Sequence, residues 1–352
     1  MKEAKILVCY NAPVSVFSLY NGRPDDKGQG SKDLSEEGFA KEMDYIISSL
    51  KEDYIEVQAL AADKRIQRVV DKITSFNPDA ILNFVESIEG IAHYEYCMAA
   101  LYELIGYHYS GNIPSTLGNC LNKELAKSIL KSFGVNTPGF LTLEAHTRFS
   151  EDDIDLHYPL IMKLLDEDAS IGISEYSVVN TFEDLKRHYK FLSETYNKSI
   201  LIEEYIDGRE LNCAVLGDIV LPISEIVFDG LPDDMPKIVT YDGKWIEGSA
   251  YYNHTKPKCP AELTNRLKKK VEEIAITSFK ALNCRDYARV DIRLDKKGTP
   301  FVIEINPNPD ISRDSGFARA ANAAGISHKE LLFTITGFAM NRKENDKKTK
   351  AI

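Results

Sequence analysis

Residues 287–306, YARVDIRLDKKGTPFVIEIN, alternate polar and apolar side chains on either side of a turn. That pattern suits a β-hairpin with one buried face. In the first arm Arg289, Asp291 and Arg293 share one face, and Val290, Ile292 and Leu294 share the other. In the second arm Glu304 and Asn306 share a face, while Phe301, Ile303 and Ile305 point away. DKKGT supplies turn chemistry between them. Pairing Leu294 with Phe301 sets Asp291 opposite Glu304 and Arg289 opposite Asn306, and gathers the apolar residues on the reverse side. Two opposed carboxylates repel each other. They persist where one holds a proton or a cation lies between them. Two carboxylates and an amide carbonyl are hard oxygen ligands, suited to Mg²⁺ or Mn²⁺ and not to zinc. Mg²⁺ usually completes its shell with water and substrate phosphates, so the hairpin implies a nucleotide. The competing reading is a solvated face with incidental Arg–Asp pairs. The rigid Asn306-Pro307-Asn308-Pro309 that follows stands against it.

The 352 residues suffice for two or three domains. A formal net charge of -11 argues against a nucleic-acid partner, which demands basic patches. Six scattered cysteines without a CxxC pair fit unpaired thiols in a reducing cytoplasm. No signal peptide or membrane-length apolar run is evident. Residues 341–352, NRKENDKKTKAI, read as a frayed charged tail.

Strands over Lys5–Tyr10, Ile55–Ala59 and Ala80–Val85 alternate with helices near 36–51, 64–76 and 94–104, with a loop over 20–38. This predicts a parallel sheet covered by helices on both faces, with its active edge beyond the carboxyl ends of the strands. Composition shifts at Ser110–Ser115. The expected organisation is an α/β amino-terminal domain over 1–115, then two α+β modules over 116–207 and 208–340, then the tail.

Within PLIMKL, Lys163 is surrounded by apolar residues. A lysine there either meets an anion or snorkels off an edge strand. The small-residue loop that follows, with Ser170, Ile171 and Gly172, can cover phosphates with backbone N–H groups. Glu203 to Glu210 form a strand end and an acidic turn. Backbone there can meet an adenine edge and Glu210 a ribose, unless the segment is merely an acidic turn. No GxSxG, GxxxxGK[ST] or HExxH motif occurs.

In their order, Asn122-Lys123, Lys163, Ser170–Ile173, Glu203…Glu210, Lys244, Arg289-Val290-Asp291 and Glu304-Ile305-Asn306 resemble the ATP-grasp superfamily, most closely its D-alanine–D-alanine ligase-like branch. The resemblance spans about residues 115–335. It implies that Lys123 and Lys163 hold the α- and β-phosphates of ATP, and that Ser170, Ile171 and Gly172 close over the β- and γ-phosphates. Glu203 would accept from the adenine amino group, backbone at Glu204 and Ile206 would contact the ring, and Glu210 would bind ribose. Lys244 would reach the γ-phosphate, Asp291, Glu304 and Asn306 would ligate two Mg²⁺ ions, and Arg289 would stabilise the developing oxyanion. The implied reaction is ATP-dependent carboxylate–amine ligation through an acyl phosphate, on amino acids or small peptides. A kinase of the same fold and a nucleotide-binding relative without turnover are the alternatives. Relatives of this branch are often dimers.

The substrate half departs from the family. Tyr10-Asn11-Ala12-Pro13-Val14-Ser15 replaces a Gly-Gly-x-Ser-x-Glu segment, and Asn83–Gly90 replaces a His-Gly-rich element. Asn308–Ser312 lacks the usual Pro-Gly-x-Thr, although Ser315-Gly316 aligns with a substrate-binding pair. These departures point away from D-alanyl-D-alanine as the product. Glu86 and Glu89 are candidates for gripping a cationic substrate group, or else form an exposed acidic loop.

Overall fold

The computed structural model describes residues 2–12, 16–17, 19–20, 23–24, 31–32, 34–167 and 170–350, with side chains over 3–12, 42–167 and 170–346. Residues 13–15 of the divergent first segment and 168–169 of the expected phosphate loop lie outside the described residues.

The first sheet is parallel. Strand β1 (Lys2–Asn11) leads to helix α1 (Leu34–Lys51), then β2 (Tyr54–Ala62), α2 (Ile66–Phe76), β3 (Ala80–Phe84) and α3 (Tyr94–Leu104). The strand order is β2-β1-β3. Its two faces follow the period of two. Ile6 and Val8 pack against Met43, Ile46 and Leu50 of α1, whereas Leu7 and Cys9 face Val69 and Ile73 of α2 and Met98 of α3. Where the sequence reads as a loop over 20–38, the described pairs 16–17 with 31–32 and 19–20 with 23–24 form short antiparallel ribbons.

Helices α4 (Pro114–Leu121) and α5 (Lys123–Ser132) lead into a second, antiparallel sheet. It comprises β4 (Phe140–Leu143), β5 (Leu160–Leu164), β6 (Val178–Val179) and, after α6 (Phe182–Tyr196), β7 (Ile200–Glu204), ordered β6-β5-β7-β4. Leu160, Met162, Leu164, Ile200 and Ile202 pack on Leu185, Tyr189 and Leu192 of α6. Ile161, Lys163 and Glu203, at the opposite parity, turn to the other face.

The third sheet contains β8 (Gly208–Leu216), β9 (Ile219–Val220) and β10 (Ser224–Val227). After the short helices α7 (Tyr241–Trp245) and α8 (Ala250–His254) come β11 (Lys256–Lys258), α9 (Asn265–Ala281), β12 (Tyr287–Asp295) and β13 (Pro300–Asn306). The order is β11-β10-β8-β12-β13, with β9 paired to β8. Only residues 205–207 join the second sheet to the third. Gly208 is required there because an added Cβ would lie 1.8 Å from the Leu294 carbonyl oxygen.

Helices α10 (Gly316–Ala323) and α11 (His328–Lys350) close the chain, and Leu331, Leu332 and Ile335 of α11 share a core with β1 and α1. The segment from 341, expected to fray, instead continues α11 to Lys350. Arg342 forks the Asp286 carboxylate at 2.5 and 2.8 Å, and Lys343 Nζ meets Asp79 Oδ1 at 2.6 Å. Partners so distant in sequence leave no mark on local composition. All six cysteines are free thiols. Among the described residues no helix is long and apolar enough to cross a membrane.

Candidate active site

The polar face of the third sheet forms one wall of the site. Leu211, Cys213, Val290, Ile292, Leu294, Val302 and Ile305 point the other way, onto α9. On the open face Arg289 is paired in register with Asn306, Asp291 with Glu304, Asn212 with Asp291, and Glu210 with Arg293. The expected opposition of the two carboxylates is therefore present. The expected pairing of Leu294 with Phe301 is not: Leu294 faces Pro300, because a β-bulge shifts the register beyond Asp291. Ile303 is the extra residue. Val302, fully buried, takes the core position assigned from sequence to Ile303, and Phe301 joins Arg293 on the site face.

The repulsion between Asp291 and Glu304 is met by protein cations. Arg289 grips Asp291 through Nε at 2.8 Å and Nη2 at 2.9 Å, while Asn212 and Asn306 donate to the same carboxylate at 2.7 and 3.0 Å. Lys123 Nζ stands 3.2 Å from Glu304 Oε1. Burial would raise the Glu304 pKa, but Lys123, Lys163, Arg289 and Lys244 more than offset it and hold it at about 2. Burial also opposes the Arg289 charge, yet Asp291 raises its pKa above the usual arginine value. Next along the sheet, Arg293 Nη1 donates to Glu210 Oε2 at 3.0 Å, and its guanidinium lies over the Tyr205 ring. Burial raises the Glu210 pKa, with Arg293 opposing.

The second sheet and α5 supply the facing wall. Asn122 caps α5 by accepting from the Leu125 N–H, which fixes the first turn and hence Lys123. Lys123 Nζ also donates to the Glu167 carbonyl at 2.5 Å. Glu203 is 1% exposed, with Lys127 Nζ 2.5 Å from Oε1 and Lys163 Nζ 2.7 Å from Oε2. Burial acts to raise its pKa, but Lys127 and Lys163 bring it below the usual range, so it is ionised. The half-buried strand lysine thus meets an anion inside the protein. Each oxygen of Glu203 faces a lysine. Glu204 instead meets His157 at 2.8 Å, and Ile206 is half-buried in the link to β8.

Two loops cover the cleft. Ser170 and Gly172 both have positive φ, 63° and 78°, and the Ile173 N–H returns to the Ser170 carbonyl. A positive φ on serine is uncommon and marks a constrained turn. The Tyr241 N–H donates to the Ile173 carbonyl at 3.2 Å, tying this loop to α7, which carries Lys244. Phe228, Leu231, Ile238 and Tyr251 of the covering segment pack on Ile161. Lys244 remains accessible to solvent; the enclosing cleft and then Arg289 lower its ammonium pKa.

Ser315 caps α10 by accepting from the Ala318 N–H, a structural use of a side chain expected to hold substrate. Glu86 and Glu89 are both exposed, and Glu89 is ion-paired with Lys64 at 3.1 Å. Three groups escaped the sequence reading. Asn212 follows Glu210 by two along β8, so strand parity alone places it on the site face. Lys127 lies on the buried stripe Lys123, Ala126, Lys127, Leu130 of α5. Asn308 bridges Tyr287 and the buried Glu95 at 2.9 and 3.0 Å, and nothing local signals it.

Residues 129–336 match the family model described as the D-ala D-ala ligase C-terminus. An uncharacterised Sinorhizobium fredii protein, y4sG, is 32% identical over 305 residues, covering 85% of this chain and 87% of that protein. The D-alanine–D-alanine ligase of Nitrosomonas eutropha is 32% identical over 234 residues, 66% of this chain and 71% of that enzyme. Among solved structures, the Bacillus anthracis D-alanine–D-alanine ligase complexed with ATP superposes with a TM-score of 0.73 at 23% identity, covering 98% of this chain and all of that one. The fold and the sequence agree, and the chain belongs to the D-alanine–D-alanine ligase family of ATP-grasp, ADP-forming carbon–nitrogen ligases.

Proposed function

We propose that the cleft binds ATP with a divalent ion, and that the protein joins a small carboxylate, an amino acid or short peptide, to an amine through an acyl phosphate. One observation carries this reading: six cations, Lys123, Lys127, Lys163, Lys244, Arg289 and Arg293, gather with four carboxylates, Glu203, Glu210, Asp291 and Glu304, in one cluster. Such a surplus suits a polyphosphate.

Lys123 and Lys163 would hold the α- and β-phosphates, and Ser170, Ile171 and Gly172 would cover the β- and γ-phosphates with backbone N–H groups. The link at Glu204 and Ile206 would border the adenine ring, with Glu210, fixed by Arg293, toward the ribose. Among the described residues no three His, Cys, Asp or Glu side chains cluster as a metal site. A divalent ion would therefore depend on Asp291, Glu304 and the Asn306 carbonyl, hard oxygen donors that fit Mg²⁺ or Mn²⁺. Bound there, it would neutralise phosphate charge.

The substrate carboxylate would attack the γ-phosphate with ADP as leaving group, Lys244 stabilising the transferring oxygens. The amine would then attack the acyl carbon, its lost proton passing to solvent, and phosphate would leave. Arg289 would donate to the oxyanion of that second step. Catalysis of this kind is mainly positioning and charge neutralisation.

The test is a pairwise screen of amino acids and amines, scored by ADP and phosphate release with mass spectrometry of the products. Release that needs both partners, with an amide as product, is expected. Phosphorylation of a single substrate would make the protein a kinase, and absence of turnover with every pair would overturn the ligase reading.

A further inference from the structure

Lys127 has no direct contact to offer a nucleotide in the arrangement above. It is 2% exposed, one turn beyond Lys123 on α5. Its ammonium has two acceptors, Glu203 Oε1 at 2.5 Å and the Ile303 carbonyl, at the bulge of β13, at 2.9 Å. Glu203 is thereby bisected, since Lys163 takes the other oxygen at 2.7 Å. A buried carboxylate with one cationic partner draws that cation into a closed pair, and the pair presents little net charge. With two lysines on one carboxylate, the cluster keeps one positive charge, and Lys163 is its more accessible member.

We propose that Lys127 is a positioning residue that neutralises Glu203, so that Lys163 offers its charge to the anionic part of the nucleotide. The inference rests on the nucleotide reading of the cleft. It differs from a packing role in that it concerns charge: removing Lys127 cancels the surplus, and removing Glu203 as well restores it.

The experiment measures Mg²⁺–ADP affinity by titration calorimetry for the wild type, Lys127→Met, Glu203→Gln and the double variant, with melting temperatures as a check on folding. Lys127→Met should bind about tenfold more weakly, the effect of one charge lost from a partly screened cleft. Glu203→Gln should bind at least as tightly as the wild type. The double variant should return to within about threefold of the wild type, because distance and charge again leave one free lysine. A double variant as weak as Lys127→Met, or a Lys127→Met protein that binds normally, would overturn the inference alone. Should Lys127→Met fail to fold, weakened binding by Glu203→Gln would overturn it. A wild type that binds no Mg²⁺–ADP would remove the nucleotide reading and the inference with it.

Discussion

Replacing Arg289 by methionine separates chemistry from binding. The guanidinium makes two charge-assisted bonds to Asp291, at 2.8 and 2.9 Å, in a site where Arg289 is a quarter exposed. Methionine keeps the bulk and removes both donors. Asp291 retains Asn212 and Asn306, so it is not left unpaired. The stability cost, discounted for partial exposure, is about 1–2 kcal/mol, and the variant remains folded. Loss of a donor to a developing oxyanion is worth about 3 kcal/mol, or about a hundredfold in turnover. Nucleotide affinity should change by less than about threefold, since in the proposed arrangement Lys123 and Lys163 would carry the phosphates. Turnover is followed by ADP release. Binding is followed through the fluorescence of Trp245, the single tryptophan, which adjoins Lys244 in α7. A variant with normal turnover at saturating nucleotide but at least tenfold weaker binding would place Arg289 on the phosphates and refute the oxyanion assignment.

Three further outcomes follow from particular contacts. Asp286→Asn should lower stability in urea unfolding by about 2–3 kcal/mol, because Arg342 loses a nearly buried partner; a change below about 0.5 kcal/mol would show that α11 is held by its apolar face alone. Gly208→Ala should cost about 3 kcal/mol or more, because its Cβ meets a backbone oxygen at 1.8 Å that cannot yield as a side chain can; a wild-type melting temperature would contradict the geometry. Burial depresses the His188 pKa from 6.5 to about 4, and its ring reaches Ser177, which bonds the Gly172 carbonyl. The folded state thus resists a proton that the unfolded chain accepts, so stability present above about pH 6.5 falls by about 3 kcal/mol as pH drops toward 4. His188→Gln should flatten that slope, and an unchanged slope would assign it to other groups.

The chemistry of β12 and β13 was legible because alternation commits each residue to a face, and Arg289, Asp291, Glu304 and Asn306 all stand where parity put them. The bulge was not legible. Phe301, Ile303 and Ile305 already form a self-consistent apolar series, and only α9 packing decides that Val302 enters the core. Lysines on helices ordinarily read as solvated, which hid Lys127 although it shares a stripe with Ala126 and Leu130. The sequence points Glu203 at an adenine amino group, whereas its lysine partners come from α5 and β5, elements whose meeting the sequence does not spell out. The carboxyl-terminal helix was misread for a like reason: its charges find Asp286 and Asp79 only in three dimensions. The parallel sheet with helices on both sides followed directly from alternating strand and helix patterns.

One added residue at Ile303 has a reach beyond its own strand. A chain shortened there would still alternate cleanly, with Val302 and Ile305 inward and Glu304 and Asn306 outward, so side-chain placement does not require it. What such a deletion would forfeit is a peptide oxygen presented to a helix that arrives from 176 residues earlier in the chain. An irregular stitch in one ribbon thereby anchors the cationic scaffold of the opposing wall, and a perfectly regular hairpin would leave the two walls less firmly joined.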